Sequence, residues 1–195
     1  GYYSSSIRRH REGLPVFPSV YDQAFVDQLA DFLPHLFEAK FLGGEPFITK
    51  AYFQIWPLLA RANPRVKVII TTNGTILNKR VRNLLEIVRT HLVVSIDSLQ
   101  KNSYEEIRRK ASFATTMANL DFFRRYALAH NTSLSLAVCP MQHNWTELPG
   151  ILAFCNTHNL GIFYNMVLGP DEVALHSLKV SELIRIIEFL KDYQP

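Results

Sequence analysis

Two periodicities divide this chain. Short apolar or β-branched runs, whose neighbouring side chains fall on opposite faces, occur at Ala39–Leu42, Val66–Thr72, Leu92–Ser98, Leu134–Cys139 and Ile162–Leu168, and each predicts a strand. Elsewhere apolar residues recur at helical spacing. Tyr21, Phe25, Leu29 and Phe32 form one such stripe, and Val81, Leu84, Leu85 and Val88 a second. Leu148, Ile151, Leu152 and Cys155 form a third, and Leu183, Ile186, Ile187 and Leu190 a fourth. A helix after each of five strands predicts right-handed βαβ units and a parallel sheet, an α/β fold. Residues 1–20 break both patterns with Ser4, Ser5, Ser6, Pro15 and Pro18, and are expected to be an irregular loop. No internal repeat, low-complexity tract or domain linker interrupts the rest, so 1–195 is expected to be one core domain.

In parallel α/β architectures ligands collect where strands end, so the residues there carry the chemistry. The first strand runs into Gly43, Gly44, Glu45 and Pro46. Paired glycines carry no Cβ and accept positive φ, which lets their peptide groups approach a small polar molecule. An ordinary turn is the plain alternative. The second strand closes on Asn73 and Gly74, where Asn73 either takes a left-handed turn or faces a site. The third carries Ser95 and Asp97, two apart and therefore on one face, with Val94 and Ile96 on the other. Asp97 or Ser98 is equally placed to cap a helix starting near Lys101.

Composition narrows the field. At 195 residues with 48% apolar content the chain suits a domain with a substantial core. No apolar run approaches the roughly 18–20 residues that span a membrane. Net charge is only +4, and short basic groups such as Arg8, Arg9 and Arg11 read as solvated surface, so no nucleic-acid partner is expected. The two cysteines, Cys139 and Cys155, make neither a disulfide framework nor a metal site unaided. Cys155 lies on an apolar stripe and is expected in the core, whereas Cys139 ends a strand and either packs or lines a pocket. Free thiols suit a reducing, cytoplasmic location. The histidines are scattered without ligand spacing, and Phe122, Phe123, Phe163 and Tyr164 are expected in the core.

The ordered set Gly-Gly-Glu-Pro, then Thr-Thr-Asn-Gly, then Ser-Ile-Asp-Ser, each at a strand end, resembles the radical S-adenosylmethionine (SAM) enzymes across roughly residues 35–170. The stretch from Tyr104 to Arg109 and on to Leu120 is similar to the helix pair after the fourth strand of their SPASM and twitch branch. The resemblance implies a partial (β/α)6 barrel with outer helices. It also implies reductive cleavage of SAM by a 4Fe-4S cluster, giving a 5′-deoxyadenosyl radical that abstracts hydrogen from a substrate, of which a peptide is one candidate. Electrons would come from a reductant such as ferredoxin or flavodoxin. Residue by residue, Gly43, Gly44 and Glu45, with Pro46 fixing the exit, would bind the methionyl ammonium. Ser95 and Arg108 would approach the methionyl carboxylate, and Asp97 or Asn73 the ribose. Met166, in the last strand, would offer adenine a soft apolar contact.

One departure from the family pattern is large: its CxxxCxxC motif, which holds the cluster, does not occur. The chain opens Gly1-Tyr2-Tyr3 into a Ser-rich loop of the kind that follows the third cluster cysteine, so the first strand and the ligands are expected upstream of Gly1. A cluster-free binding module, or an unrelated parallel α/β enzyme acting on a phosphorylated ligand, are the rival readings. The second wants a glycine-rich loop leading into a helix N-terminus, and Gly43-Gly44 followed by Pro46 is a poor phosphate cradle.

The 195-residue chain by itself is expected to assemble no iron–sulfur cluster and to leave SAM uncleaved, because two distant thiols do not replace three clustered ones. Anaerobic reconstitution followed by iron and sulfide quantitation checks this. A stoichiometric cluster on the chain would overturn it.

Overall fold

A computed structural model describes residues 9–10, 12–15 and 21–193. Most of the expected loop at 1–20 therefore lies outside the described residues; within it, Arg9 and His10 are helical and Glu12 and Gly13 form a turn. The chain divides into two compact units, residues 1–72 with 78–91, and residues 73–77 with 92–195.

In the first unit, β1 (Glu38–Phe41) pairs in parallel with β2 (Lys67–Thr72), in register from Glu38 opposite Lys67 to Phe41 opposite Ile70. Lys67 Nζ lies 3.0 Å from Glu38, so the first rung also carries an ion pair. Helices α1 (Gln23–Leu29), α2 (Lys50–Ala62) and α3 (Lys79–Ile87) accompany these strands. Asp22 caps α1 by accepting the Phe25 N–H, and Asn78 caps α3 by accepting the Val81 N–H. Helix α2 buries Ala51, Ile55, Trp56 and Leu59, one face of a 3.6-residue repeat. Strand β2 alternates as a half-buried strand should, with Val68, Ile70 and Thr72 inward. Val81, Leu84, Leu85 and Val88 are buried as their spacing predicts. The stripe around α1 is corrected: Val26 is its buried residue, while Tyr21 and Phe32 are exposed. The helix is only seven residues long, so both aromatics fall beyond its ends.

The second unit is built on β3 (Thr90–Ser95, entering it at Leu92), β4 (Leu134–Val138) and β5 (Gly161–Tyr164), paired in parallel in that order. Helices α4 (Lys101–Ile107) and α5 (Phe113–Ala129) follow β3 and form the expected helix pair. They are joined by a 2.8 Å hydrogen bond between the Tyr104 and Thr116 hydroxyls. Helix α6 (Leu148–His158) follows β4 and buries Leu148, Ile151 and Cys155; α7 (Val180–Lys191) follows β5. Every residue of β4 is buried, the mark of a parallel strand covered on both faces.

Three expectations fail here for local reasons. The last strand stops at Tyr164 rather than Leu168, because β4 ends at Val138 and Pro140 has no N–H to extend the ladder. Phe163 and Tyr164 are accordingly exposed rather than core. Of the α7 stripe only Ile186 is buried, and Ile187 is exposed. Phe123, by contrast, is fully buried.

The β4–β5 pairing depends on Gly161, where a Cβ would collide with Ser135 Oγ and stand 3.2 Å from Ser135 Cβ. Gly161→Ala is expected to destabilise the chain by about 1–3 kcal/mol through overpacking. Adding Ser135→Ala, which removes the colliding oxygen, is expected to recover part of that loss. Denaturant unfolding of the two variants checks the pair.

Candidate functional site

The turn after β1 is held from both sides before any ligand is considered. Phe41 and Phe47, which bracket it, are buried and both pack on the fully buried Trp56, with ring centroids at 5.3 and 6.2 Å. Tyr52 stacks edge-on against Phe41 and donates its hydroxyl to the Leu42 carbonyl at 3.1 Å. Strand β1 ends at Phe41, one residue earlier than expected, which leaves Leu42 exposed in the turn. Between these anchors Gly43 and Gly44 sit at φ of 90° and 54°. Only glycine enters that region freely, which explains the pair. Nothing lies within 4 Å of where either Cβ would stand, so the backbone here borders open space.

The two glycines deliver Glu45 inward. Its side chain is only 6% exposed, and its Oε1 accepts the Phe47 N–H at 3.1 Å and the Thr72 hydroxyl at 2.7 Å. Glu45 thereby caps the 3₁₀ turn Pro46–Ile48, and Pro46 occupies the first position of that turn, where a missing N–H is harmless. Burying a carboxylate is tolerated only with such partners.

In the second unit the polar residues gather around Asp97. It lies two residues past the end of β3 and is 5% exposed. Oδ2 meets Arg108 Nη2 at 2.7 Å, and Oδ1 accepts the Cys139 N–H at 2.8 Å. Asn144, fully buried, donates to the Asp97 and Cys139 carbonyls at 2.7 and 3.0 Å and accepts the Met141 N–H. One amide thus ties the ends of β3 and β4 to the loop that follows β4. The capping alternative for Asp97 is excluded: α4 is preceded by Gln100 and has no side-chain cap. Ser98, also buried, bonds Gln100 and Glu147 instead.

Ser95, the last residue of β3, is half-buried between the fully buried Val94 and Ile96, as the alternation predicts. Asn73 does not take the left-handed conformation; Gly74 does, at φ 74°, with Asn119 donating to its carbonyl. Asn73 Oδ1 instead accepts the N–H and hydroxyl of Thr75. Met166 lies beyond β5, is 79% exposed, and lines a groove of about 300 Å³ with Tyr164, Asn165, Val167 and Leu175. The structure therefore groups Gly43, Gly44, Glu45 and Pro46 in one turn and joins Asp97 to Arg108. Met166 stands in a groove that neither Asp97 nor Arg108 lines. Thr72 and Asn144 escaped sequence reading, because a β-branched residue in a strand and an asparagine in a loop look ordinary there.

Neither thiol suits metal ligation. Burial pushes Cys155 up to about 11. Cys139 is raised by burial and by the Asp97 charge, against the opposing pull of Arg108. Thiolates are the ligands, so raised thiols are poor ones. Among the described residues no group of three or more His, Cys, Asp or Glu side chains is placed to hold a metal ion. These residues do not fit a 4Fe-4S cluster.

The Radical SAM superfamily profile matches residues 17–155. The GTP 3′,8-cyclase of Vibrio cholerae is 29% identical over 136 residues, which is 70% of this chain and 40% of the cyclase. The enzyme of that name from Paenarthrobacter nicotinovorans is 31% identical over 117 residues, 60% of this chain and 32% of its own length. The chain thus spans well under half the length of these relatives. Among solved structures, Streptococcus suis SuiB bound to S-adenosylmethionine covers 86% of this chain and 38% of SuiB, with 14% identity and a TM-score of 0.61. Native anSMEcpe with bound AdoMet covers 76% of this chain and 43% of its own, with 13% identity and a TM-score of 0.60. At such identities the likeness speaks to the fold, the parallel-stranded partial barrel with outer helices. With the profile running from the segment before α1 into α6, the chain belongs to the Radical SAM superfamily, a family of enzymes.

Proposed function

We propose that residues 1–195 form the SAM-binding core of a radical SAM enzyme of the SPASM and twitch branch, working in the cytoplasm with a ferredoxin- or flavodoxin-type reductant. Bound there, SAM would supply a 5′-deoxyadenosyl radical for hydrogen abstraction. The observation that carries this reading is the turn at Gly43–Glu45. Two left-handed glycines border open space, and the next residue presents a buried, oriented carboxylate. A methionyl ammonium has only donors and needs acceptors around it. Peptide carbonyls of a Cβ-free turn and a carboxylate supply them.

Ser95 and Arg108 are assigned to the methionyl carboxylate. A guanidinium has five N–H donors, and Arg108 is seen to use Nη2 on Asp97 while its buried Nε has no hydrogen-bond partner among the described residues. Asp97, committed to Arg108 and to the Cys139 N–H, is better suited to orienting Arg108 than to reaching a ribose. Asn73 is the residue left for the ribose, and Met166 offers adenine its thioether. For the substrate, a peptide follows from the family branch. A nucleotide is the second reading, favoured by the sequence relatives named GTP 3′,8-cyclase.

The test is calorimetric titration of SAM into the anaerobic protein. Glu45→Gln, nearly isosteric, is expected to weaken SAM roughly 10- to 100-fold, the worth of a hydrogen bond to a charged group. Gly44→Val is expected to abolish binding, since it forces a branched residue into a left-handed conformation and fills the space beside the turn. Wild-type affinity in Glu45→Gln would sink the assignment.

A further inference from the structure

We infer that Thr72 is a positioning residue for recognition of the SAM ammonium, a role that rests on the assignment of Glu45 above. Thr72 is the last residue of β2, 1% exposed, and faces inward with Val68 and Ile70. A threonine at such a position more simply packs its methyl. Here its hydroxyl donates to Glu45 Oε1 at 2.7 Å, across a separation of 27 residues. The Phe47 N–H reaches the same oxygen from within the turn. Two donors from different elements thus converge on one carboxylate oxygen, which fixes both the direction of the side chain and the rotation of its carboxylate plane.

The kind of donor matters as much as its place. A lysine or arginine at this position would pair with Glu45 as a cation and compete with an arriving ammonium. A hydroxyl and a peptide N–H orient the carboxylate and add no positive charge of their own. In a buried setting a carboxylate acts through a low effective dielectric, so its orientation matters to how it discriminates between ligands with and without a positive group. Strand β2 supplies this hydroxyl because its register with β1 is set by Phe41 opposite Ile70, which brings the next inward residue, Thr72, alongside the turn that follows Phe41. A one-residue slip would turn Thr72 to the other face.

The experiment uses two ligands and three proteins. SAM, and the analogue with hydrogen in place of the α-amino group, are titrated into wild type, Thr72→Val and Thr72→Ser. Thr72→Val keeps the shape and β-branching but removes the donor; Thr72→Ser keeps the donor. Thr72→Val is expected to bind SAM roughly five- to tenfold more weakly than wild type, with Thr72→Ser close to wild type. All three proteins are expected to bind the amine-free analogue alike. Unchanged SAM affinity in Thr72→Val would overturn the role, as would an equal loss for both ligands, which marks general damage to the site. Should wild type itself fail to distinguish SAM from the amine-free analogue, the ammonium reading of Glu45 falls, and the role of Thr72 with it.

Discussion

Placing a carboxylate inside a protein is costly, and the first unit is organised around meeting that cost at Glu45. An unpaired ionised group would neutralise itself or open the structure. Glu45 stays buried because a peptide N–H and a hydroxyl, held by a turn and a strand, both meet Oε1. That geometry in turn requires the chain to reverse sharply after β1, which is what the two left-handed glycines provide. The reversal holds its place because Phe41 before it and Phe47 after it are buried against one indole, Trp56. Each fully buried aromatic contributes on the order of 1.5–3 kcal/mol of transfer free energy. The turn is therefore anchored by buried aromatics on both sides, while its glycines border open space.

The second unit meets the same cost differently. Asp97 is buried against a cation, Arg108, and accepts one further peptide N–H. Removing one partner of such a pair is far worse than removing both, because the survivor is left charged and unmatched. Asn144 adds no charge but holds the surroundings in register: its amide reaches the carbonyls of Asp97 and Cys139 and the N–H of Met141. Two parallel strands end here without a turn to join them, so a side chain does the joining. The same economy appears at Gly74, whose carbonyl is met by Asn119 from α5.

Much of this was legible in the residues. The five strands follow from periodicity, the residues at and beyond the strand ends carried the resemblance to the superfamily, and the helix pair after β3 follows from that resemblance. What periodicity did not reveal were termini and partners. Strand β5 reads as continuing to Leu168 because Met166, Val167 and Leu168 are apolar, yet its partner β4 has already run into Pro140. A strand exists only where a neighbour can receive its hydrogen bonds, and that information sits 25 residues or so upstream. Tyr21 and Phe32 fit a helical stripe by spacing, but a seven-residue helix cannot carry the roughly three turns that stripe needs. The role of Asp97 stayed open for a related reason. Asp97 has the chemistry of an N-cap, and only the fold shows a guanidinium within 2.7 Å. Thr72 was invisible for the opposite reason, since threonine in a strand needs no explanation until its hydroxyl is seen to point at Glu45.

Asp97 and Glu45 meet different kinds of partner. Asp97 and Arg108 sum to no net charge, and their pairing orients a guanidinium whose remaining donors suit an anionic group. A peptide N–H and a hydroxyl, both neutral donors, orient Glu45. A zwitterionic methionyl group carries one charge of each sign on a single carbon and needs complementary partners for both. This difference supports the proposal that Glu45 meets the amine and Arg108 the carboxylate.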